Sequence, residues 1–526
     1  MVSVGCGGEP SESSAVSATL RRPTWIGNPE PGMPPNLETT RMRLARATTL
    51  ATVATIAMAY LPGAIARADD SKAVDALNAP AKVIQEKSKC WKGVLDAYIA
   101  MSAPPMKVGP TFNVLAVWPG MADWSKAKEW AAANGPMAKA LVDAQPAVAF
   151  CLPYGRTSVP PIYVEKGAFI GIGDGLAVYE SDVAYLKPLA VINTFVAVEM
   201  YRLGEEKKYQ EAFDLGIAAL KFLRKVADQH LLAEKVFAME AMCDMASVQR
   251  DVLQTFLADV PAAVVKKFAL SGYAFIHPTD GERLRRIEMP EGDRVLAEAL
   301  IMQLFDAQGQ PDTVKFAATM GNLQASKEPL ARFGAGKRWA EIADIHGSLD
   351  STRARLTSIY DDWWRRWRVR YYDGLLDNPT VISRTNKMRY AMVLAMANDI
   401  QRLFALRQRL NAEFNGTVLA FGVVAAYRDS GTWPGGIDRT YTQFTMKRFD
   451  FDPWDPAAGR WQYENLASPR AIESDYGRLE ISGGVLYARG TDKEDGGAQK
   501  STNDGLTGDF VAWPALRALS RSAGGK

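Results

Sequence analysis

Val485-Leu-Tyr-Ala-Arg-Gly-Thr-Asp492-Lys-Glu-Asp495-Gly-Gly, running on to Asp504-Gly-Leu-Thr-Gly-Asp509-Phe-Val-Ala-Trp513, is the stretch around which the chain is organised. Val485 to Ala488 is a short apolar run that enters a loop crowded with Asp and Gly, and Phe510 to Trp513 is a second one that leaves it. This pattern predicts a strand, a carboxylate-bearing loop and a short exit segment. Hard cations take several oxygen ligands, and glycines let backbone carbonyls turn inward, so the loop reads as a calcium site. The same residues also suit a solvated surface loop, and both readings stay open here.

Further back in the chain, the same order of features extends over a longer stretch. Val418-Leu-Ala-Phe-Gly-Val-Val-Ala-Ala-Tyr427 has the composition of the last turns of an apolar helix. Gly431-Thr-Trp433-Pro434 follows, then Asp452-Pro453-Trp454-Asp455, Trp461-Gln-Tyr463 and the loop stretch itself. In order and spacing this resembles the globular part of the major pseudopilin of type II secretion, and the same module at the end of large bacterial envelope proteins. The resemblance implies an α+β module whose last loop holds calcium through backbone carbonyls and carboxylates. By it, Asp492 matches the Asp of the family's Gly-x-Asp-Gly element and Asp509 the Asp of its closing Asp-Ile. Asp504 and Asp495 are neighbouring carboxylates without a counterpart. Lys493 and Asp455 stand where the family has Gly, and the loop is longer than the family's. A pseudopilin also begins at an apolar, membrane-anchored helix, whereas here the module follows several hundred residues of other sequence. The expectation is therefore a borrowed compact domain rather than a filament subunit.

The 526 residues provide for two or three domains with full cores. Met42-Arg-Leu-Ala-Arg46, the uncharged stretch Ala47–Ile65 and Ala66-Arg67-Ala68 read as the three parts of a cleavable signal peptide. Met42 is then the expected initiator and residues 1–68 a leader that is removed. Pro62-Gly63 makes the stretch a poor membrane span, so no stable span is expected after cleavage. Beyond residue 68 there are 56 basic and 55 acidic residues, which gives no electrostatic case for nucleic acid. Export to the periplasm or beyond would allow disulfides. Cys90, Cys151 and Cys243 remain, either as one bridge (Cys90 to Cys151 by proximity in sequence) with one free thiol, or as three reduced residues. No Cys or His spacing points to zinc, because His230, His277 and His346 stand far apart.

The rest of the chain reads as mainly α. Residues 69–100 predict one helix interrupted early by Pro80, and residues 69–180 as a whole a small mixed α/β region. Phe112–Trp118, Val148–Leu152 and Ile162–Val164 are its strand candidates, and Asp123 caps a helix over Trp124–Ala133. Ile170-Gly-Ile-Gly-Asp-Gly175 lacks phosphate-loop spacing and reads as a tight turn. From residue 181 to about 410 apolar residues recur at helical spacing, as in Leu189, Ile192, Phe195, Val196 and Met200. No clean repeat emerges, so the expectation is an irregular antiparallel helical array. Met239, Met242 and Met245 beside Cys243 read as core filling rather than an adaptable binding surface. Thr279 or Asp280 is expected to cap a helix starting near Glu282, and Met388–Leu410 to form a long helix leading into the module over residues 411–526.

Two features bear on chemistry. Glu240 and Asp244 lie one helical turn apart, but a glycosidase needs its two carboxylates across a cleft. Tyr360, Trp363, Trp364, Trp367 and Tyr371 fall on one helical face among Arg365, Arg366, Arg368 and Arg370. That face is either a platform for sugars, bases or a membrane surface, or a buried stripe whose arginines pair with Asp361 and Asp362, and burial is favoured. No catalytic set is assigned. The expectation is an exported envelope protein that binds or scaffolds an envelope protein or polysaccharide, with a calcium-stabilised C-terminal module. A secreted hydrolase acting on envelope polysaccharide and an accessory part of a secretion apparatus are the alternatives.

Overall fold

The computed structural model describes residues 69–106, 114–272, 287–327, 334–369, 373–397, 400–445, 451–455, 457, 459–502 and 505–524. The leader and the capping site near Thr279 and Asp280 lie outside these residues, as do His277, Tyr371 and Asp504. The described chain is mostly helical and carries a small C-terminal sheet.

The first helix, α1 (Ser71–Lys82), starts where the Asp70 side chain accepts the Ala73 N–H at 2.9 Å. It tolerates Pro80 in its last turn and then stops. A 3₁₀ turn and a bridge from Lys89 to Ala149 intervene before α2 (Trp91–Ala100), so the single helix expected over residues 69–100 is two. The pairing of the Cys90 N–H with the Ala149 carbonyl draws the chain out of helical geometry at that point. After it come α3 (Trp124–Ala133), α4 (Gly135–Asp143) and α5 (Pro161–Glu165). Asp123 does occupy the cap position of α3, but it is left-handed (φ 60°) and its carboxylate pairs with Lys126 at 2.8 Å instead of capping.

The expected strands fare poorly. Ile162–Val164 lies in α5, because Pro161 at the first helical position nucleates a turn that outweighs two β-branched residues. Val114–Ala116 is a 3₁₀ turn, and Val148–Leu152 contributes only the bridge at Ala149. Among the described residues before 185, the one ladder is the two-residue pair β1 (Gly171–Ile172) and β2 (Ser181–Asp182), antiparallel across the glycine-rich turn. Among the described residues the N-terminal part is thus mostly helical, with a small β component. Cys90, Cys151 and Cys243 are all free thiols in this structure.

Three long helices then pack in succession: α6 (Leu186–Glu205), α7 (Tyr209–Val226) and α8 (Leu232–Thr255). Gly204 lies against the Phe256 ring, and Gly216 lies beneath the Gln249 amide, so small residues set these close approaches. Met239, Met242, Met245 and Cys243 are fully buried in α8, which makes the methionine run core. The body continues through α9 (Ala262–Lys267), α10 (Glu291–Leu304), α11 (Thr313–Lys327), α12 (Ala335–Ile345), α13 (Leu349–Arg368) and α14 (Ala391–Met396). The helix expected over Met388–Leu410 is broken at Ala397, whose backbone is extended. Its second part belongs to α15 (Gln401–Ser430), which runs unbroken past residue 410 and ends at left-handed Gly431. Helical body and C-terminal segment therefore share one helix. No described helix is long and apolar enough to cross a membrane.

After α16 (Asp438–Gln443) come β3 (Gln462–Ser474), β4 (Gly477–Ala488), β5 (Lys500–Ser501), β6 (Phe510–Trp513) and α17 (Leu516–Gly524). The sheet order is β5-β3-β4-β6, with β3 and β4 forming a hairpin across Asp475-Tyr476. Alternation along β4 feeds two cores. Leu486 and Ala488 face the large core of the helical body, whereas Val485 and Tyr487 join Ile472, Leu479, Ile481, Ala498 and Leu516 in a small second one. On the body side, α15 meets the sheet at Gly416, where a Cβ would come within 2.8 Å of both Trp461 and Ala512. Trp433 stacks on Tyr427 with centroids 4.2 Å apart and lies on Gly483-Gly484, a Cβ at Gly484 meeting its ring at 2.7 Å.

Candidate functional site

The loop between β4 and β6 gathers three of the four expected ligands, Asp492, Asp495 and Asp509. Each carboxylate is already engaged. Asp509 is fully withdrawn from water, and its oxygens accept the N–H groups of Gly496 (3.4 Å) and Ala498 (2.7 Å). Burial pushes its carboxyl up to about 6, against the pull of those amides and with the charges of Asp495 and Asp492 adding to the rise. Asp492 accepts from the amides of Glu494 at 3.2 Å and Gly508 at 3.1 Å. Asp495 accepts from the Gly497 amide and from the Tyr487 hydroxyl, each at 3.1 Å, and takes the Arg489 guanidinium at 3.4 Å. A cation here would have to displace those donors. Among the described residues no group of three or more His, Cys, Asp or Glu forms a metal cage. As placed, the three described carboxylates close the loop as acceptors of its amides.

Asp452 is a residue that the sequence reading placed in a motif without giving it a role. It is fully buried, with one oxygen accepting the amides of Trp454 (2.8 Å) and Asp455 (3.0 Å) and the other the Arg489 amide (2.7 Å). Burial raises its carboxyl. Arg489 reaches from the end of β4 to Asp455 at 3.2 Å and to Asp495, tying the Asp-Pro-Trp segment to the loop. An Asp preceding Pro-Trp signals a local turn, but its long-range partner leaves no mark in sequence. Lys493 adopts φ 62°, a conformation that favours glycine.

In the helical body the carboxylates examined as acid/base candidates are tied to arginines. Glu240 pairs with Arg402 at 2.5 Å, and Asp244 lies 3.9 Å from Arg409 with its carboxyl raised by burial to about 6. A second cluster went unread. Glu234 is wholly buried and accepts from the hydroxyls of Tyr154 (2.6 Å) and Tyr185 (2.8 Å) and from the Leu231 amide (2.9 Å), and burial raises its carboxyl. Nearby, Asp293 accepts the Leu232 amide at 2.7 Å, and burial pushes it up to about 7. Burial lowers Lys235 to about 8, its ammonium donating to the Ala227 carbonyl at 3.0 Å, and lowers His230 to about 4. Perturbed groups collect at functional sites, but both acids here satisfy the first amides of α8. Glu234 three residues after Leu231 was the available signal.

The aromatic face of α13 is largely core. Tyr360, Trp363 and Trp367 are buried, and Arg366 pairs with Asp362 at 3.0 Å inside the fold. Among the described residues of this face only Trp364 is partly exposed, its indole N–H donating to Glu291. Between α8, α15 and the sheet lies a polar cavity of about 40 Å³, lined by Arg250, Asp251, Glu413 and Arg517 among others. That is room for water and little more. No family model, curated protein or solved structure matches the chain.

Proposed function

We propose that the chain is an exported bacterial envelope protein with a binding or scaffolding role, ending in a module similar to the pseudopilin globular domain. The observation that carries this reading is the succession of elements from α15 to β6. An apolar helix ends at Gly431, Trp433 docks on the sheet, the Asp452-Pro-Trp454 turn joins the end of β4, and an Asp-rich loop leads to a short last strand. Lys493, which replaces a family glycine, keeps a glycine-like backbone (φ 62°) and supports the same alignment. The hydrolase reading is disfavoured by the burial of Trp363 and Trp367 and by the arginine partners of Glu240 and Asp244. The secretion-apparatus reading rests on the module alone.

Expression of the full chain in a Gram-negative host, followed by fractionation and N-terminal sequencing, tests the export. Recovery outside the cytoplasm with Asp69 as first residue is expected, and retention inside with residues 1–68 intact would overturn it. The calcium staple is a separate part of the proposal, supported by the resemblance and by the crowding of Asp492 and Asp495 on Asp509. Extracellular calcium modules bind in the range of about 0.1–1 mM, so excess calcium would add roughly 1–3 kcal/mol to stability over chelator. That gain would disappear in Asp492→Ala and Asp509→Ala. No calcium effect would leave a loop closed by its own amides.

A further inference from the structure

The exposed flank of α13 carries a groove of about 510 Å³, lined by Asp361, Trp364, Arg365, Arg368 and Val369. The guanidinium of Arg368 lies over the Trp364 ring, 5.0 Å from the centroid. Stacking of this kind holds the guanidinium plane while leaving its N–H edge free to meet a carboxylate in two parallel hydrogen bonds. The indole is itself fixed, because its N–H is committed to Glu291. Arg365 is 63% exposed and touches Asp362 at 3.0 Å, but Asp362 is already neutralised by buried Arg366, so Arg365 adds a second positive charge at the rim. Asp361 is exposed at the same groove and presents an acceptor without a donor's chemistry.

We propose that this groove binds a uronic-acid residue of an acidic polysaccharide. The sugar carboxylate would meet Arg368 and Arg365, and a ring hydroxyl would donate to Asp361. An acidic peptide fits less well, since it brings no hydroxyls to Asp361. This deepens the binding role proposed above and rests on it.

The test is calorimetric titration of the purified full chain with hexagalacturonate, a neutral hexagalactose and a hexaglutamate peptide. Binding of the uronate alone is expected, weakened at least about tenfold in Arg368→Ala and about threefold in Arg365→Ala. Arg368→Lys keeps the charge but loses the stacked fork, and should recover only part of the affinity. Both arginines are exposed, so unchanged melting of the variants will show that folding is intact. Absence of uronate binding, equal binding of hexaglutamate, or binding indifferent to both substitutions would overturn the proposal. The titration does not depend on cellular location, so its failure is distinguishable from a failure of the export test.

Discussion

Arg250 and Asp509 are both almost fully withdrawn from water, yet they are held in different ways. Arg250, on α8, meets an opposite charge across the helical body: it donates to the Glu413 carboxylate at 2.6 Å, and also to the Glu413 carbonyl and the Thr417 hydroxyl of α15. Among the described residues Asp509 has no cationic hydrogen-bond partner and is held by two amides of its own loop. Arg517 of α17 repeats the first solution by meeting Asp251 of α8, and the C-terminal loop repeats the second in Asp492. A charge pair joins elements distant in sequence, whereas an amide-bound carboxylate dictates the path of a few residues around it. These charge pairs join packed helices, while the amide-bound carboxylates of the C-terminal loop set its shape.

The largest expected effect lies in the body. Arg250→Ala leaves Glu413 buried without its partner and should cost about 3–5 kcal/mol in urea unfolding. Replacing both residues with apolar side chains of similar size should recover most of that loss. If the single substitution costs less than about 1 kcal/mol, the ion pair is not what joins α8 to α15.

The pH dependence sharpens the contrast. Asp293 and Asp509 are raised in the folded protein, to about 7 and about 6. Below the ordinary carboxylate range both the folded and unfolded forms are protonated. As pH rises through it, the unfolded chain ionises first and is favoured, so stability falls until the folded group ionises too. Denaturation should therefore become easier between about pH 4 and 7, by up to about 4 kcal/mol for Asp293 and about 3 kcal/mol for Asp509. Asp293→Asn should flatten the slope up to neutral pH, and Asp509→Asn only up to about pH 6. Equal flattening by both would erase the distinction between the two regions.

The smallest effect belongs to the loop. Lys493→Gly releases a left-handed side-chain-bearing residue and should raise stability by about 0.5–1 kcal/mol, measured in the same urea series. A loss instead would mean that the lysine side chain contributes more than its backbone costs.

Much of the helical body was legible because burial imposes a period: Leu189, Ile192, Phe195, Val196 and Met200 all face the interior as their spacing requires. The strand, loop and last strand at the C-terminus were legible for the same reason, since alternation and glycine-rich turns are local signals. The errors arose where one local signal opposed another. Ile162 and Val164 look like strand residues, but Pro161 starts a helix there. The long-range partners were not legible at all. Nothing near Arg250 announces Glu413, 163 residues away, and nothing near Asp452 announces the Arg489 amide. For the candidate loop, the sequence showed which carboxylates meet but not that amides would occupy their oxygens.

The last helix bears on the order in which the molecule can be completed. Arg517 pairs with Asp251 at 2.5 Å, a residue synthesised 266 positions earlier, and Arg521 donates to the carbonyls of Leu115 and Val117. Until α17 has been made, Asp251 has no Arg517 to meet, and those two carbonyls lack the Arg521 guanidinium. Consolidation of the body therefore waits on α17, and a chain truncated before residue 517 should be far more open to protease than one that carries it.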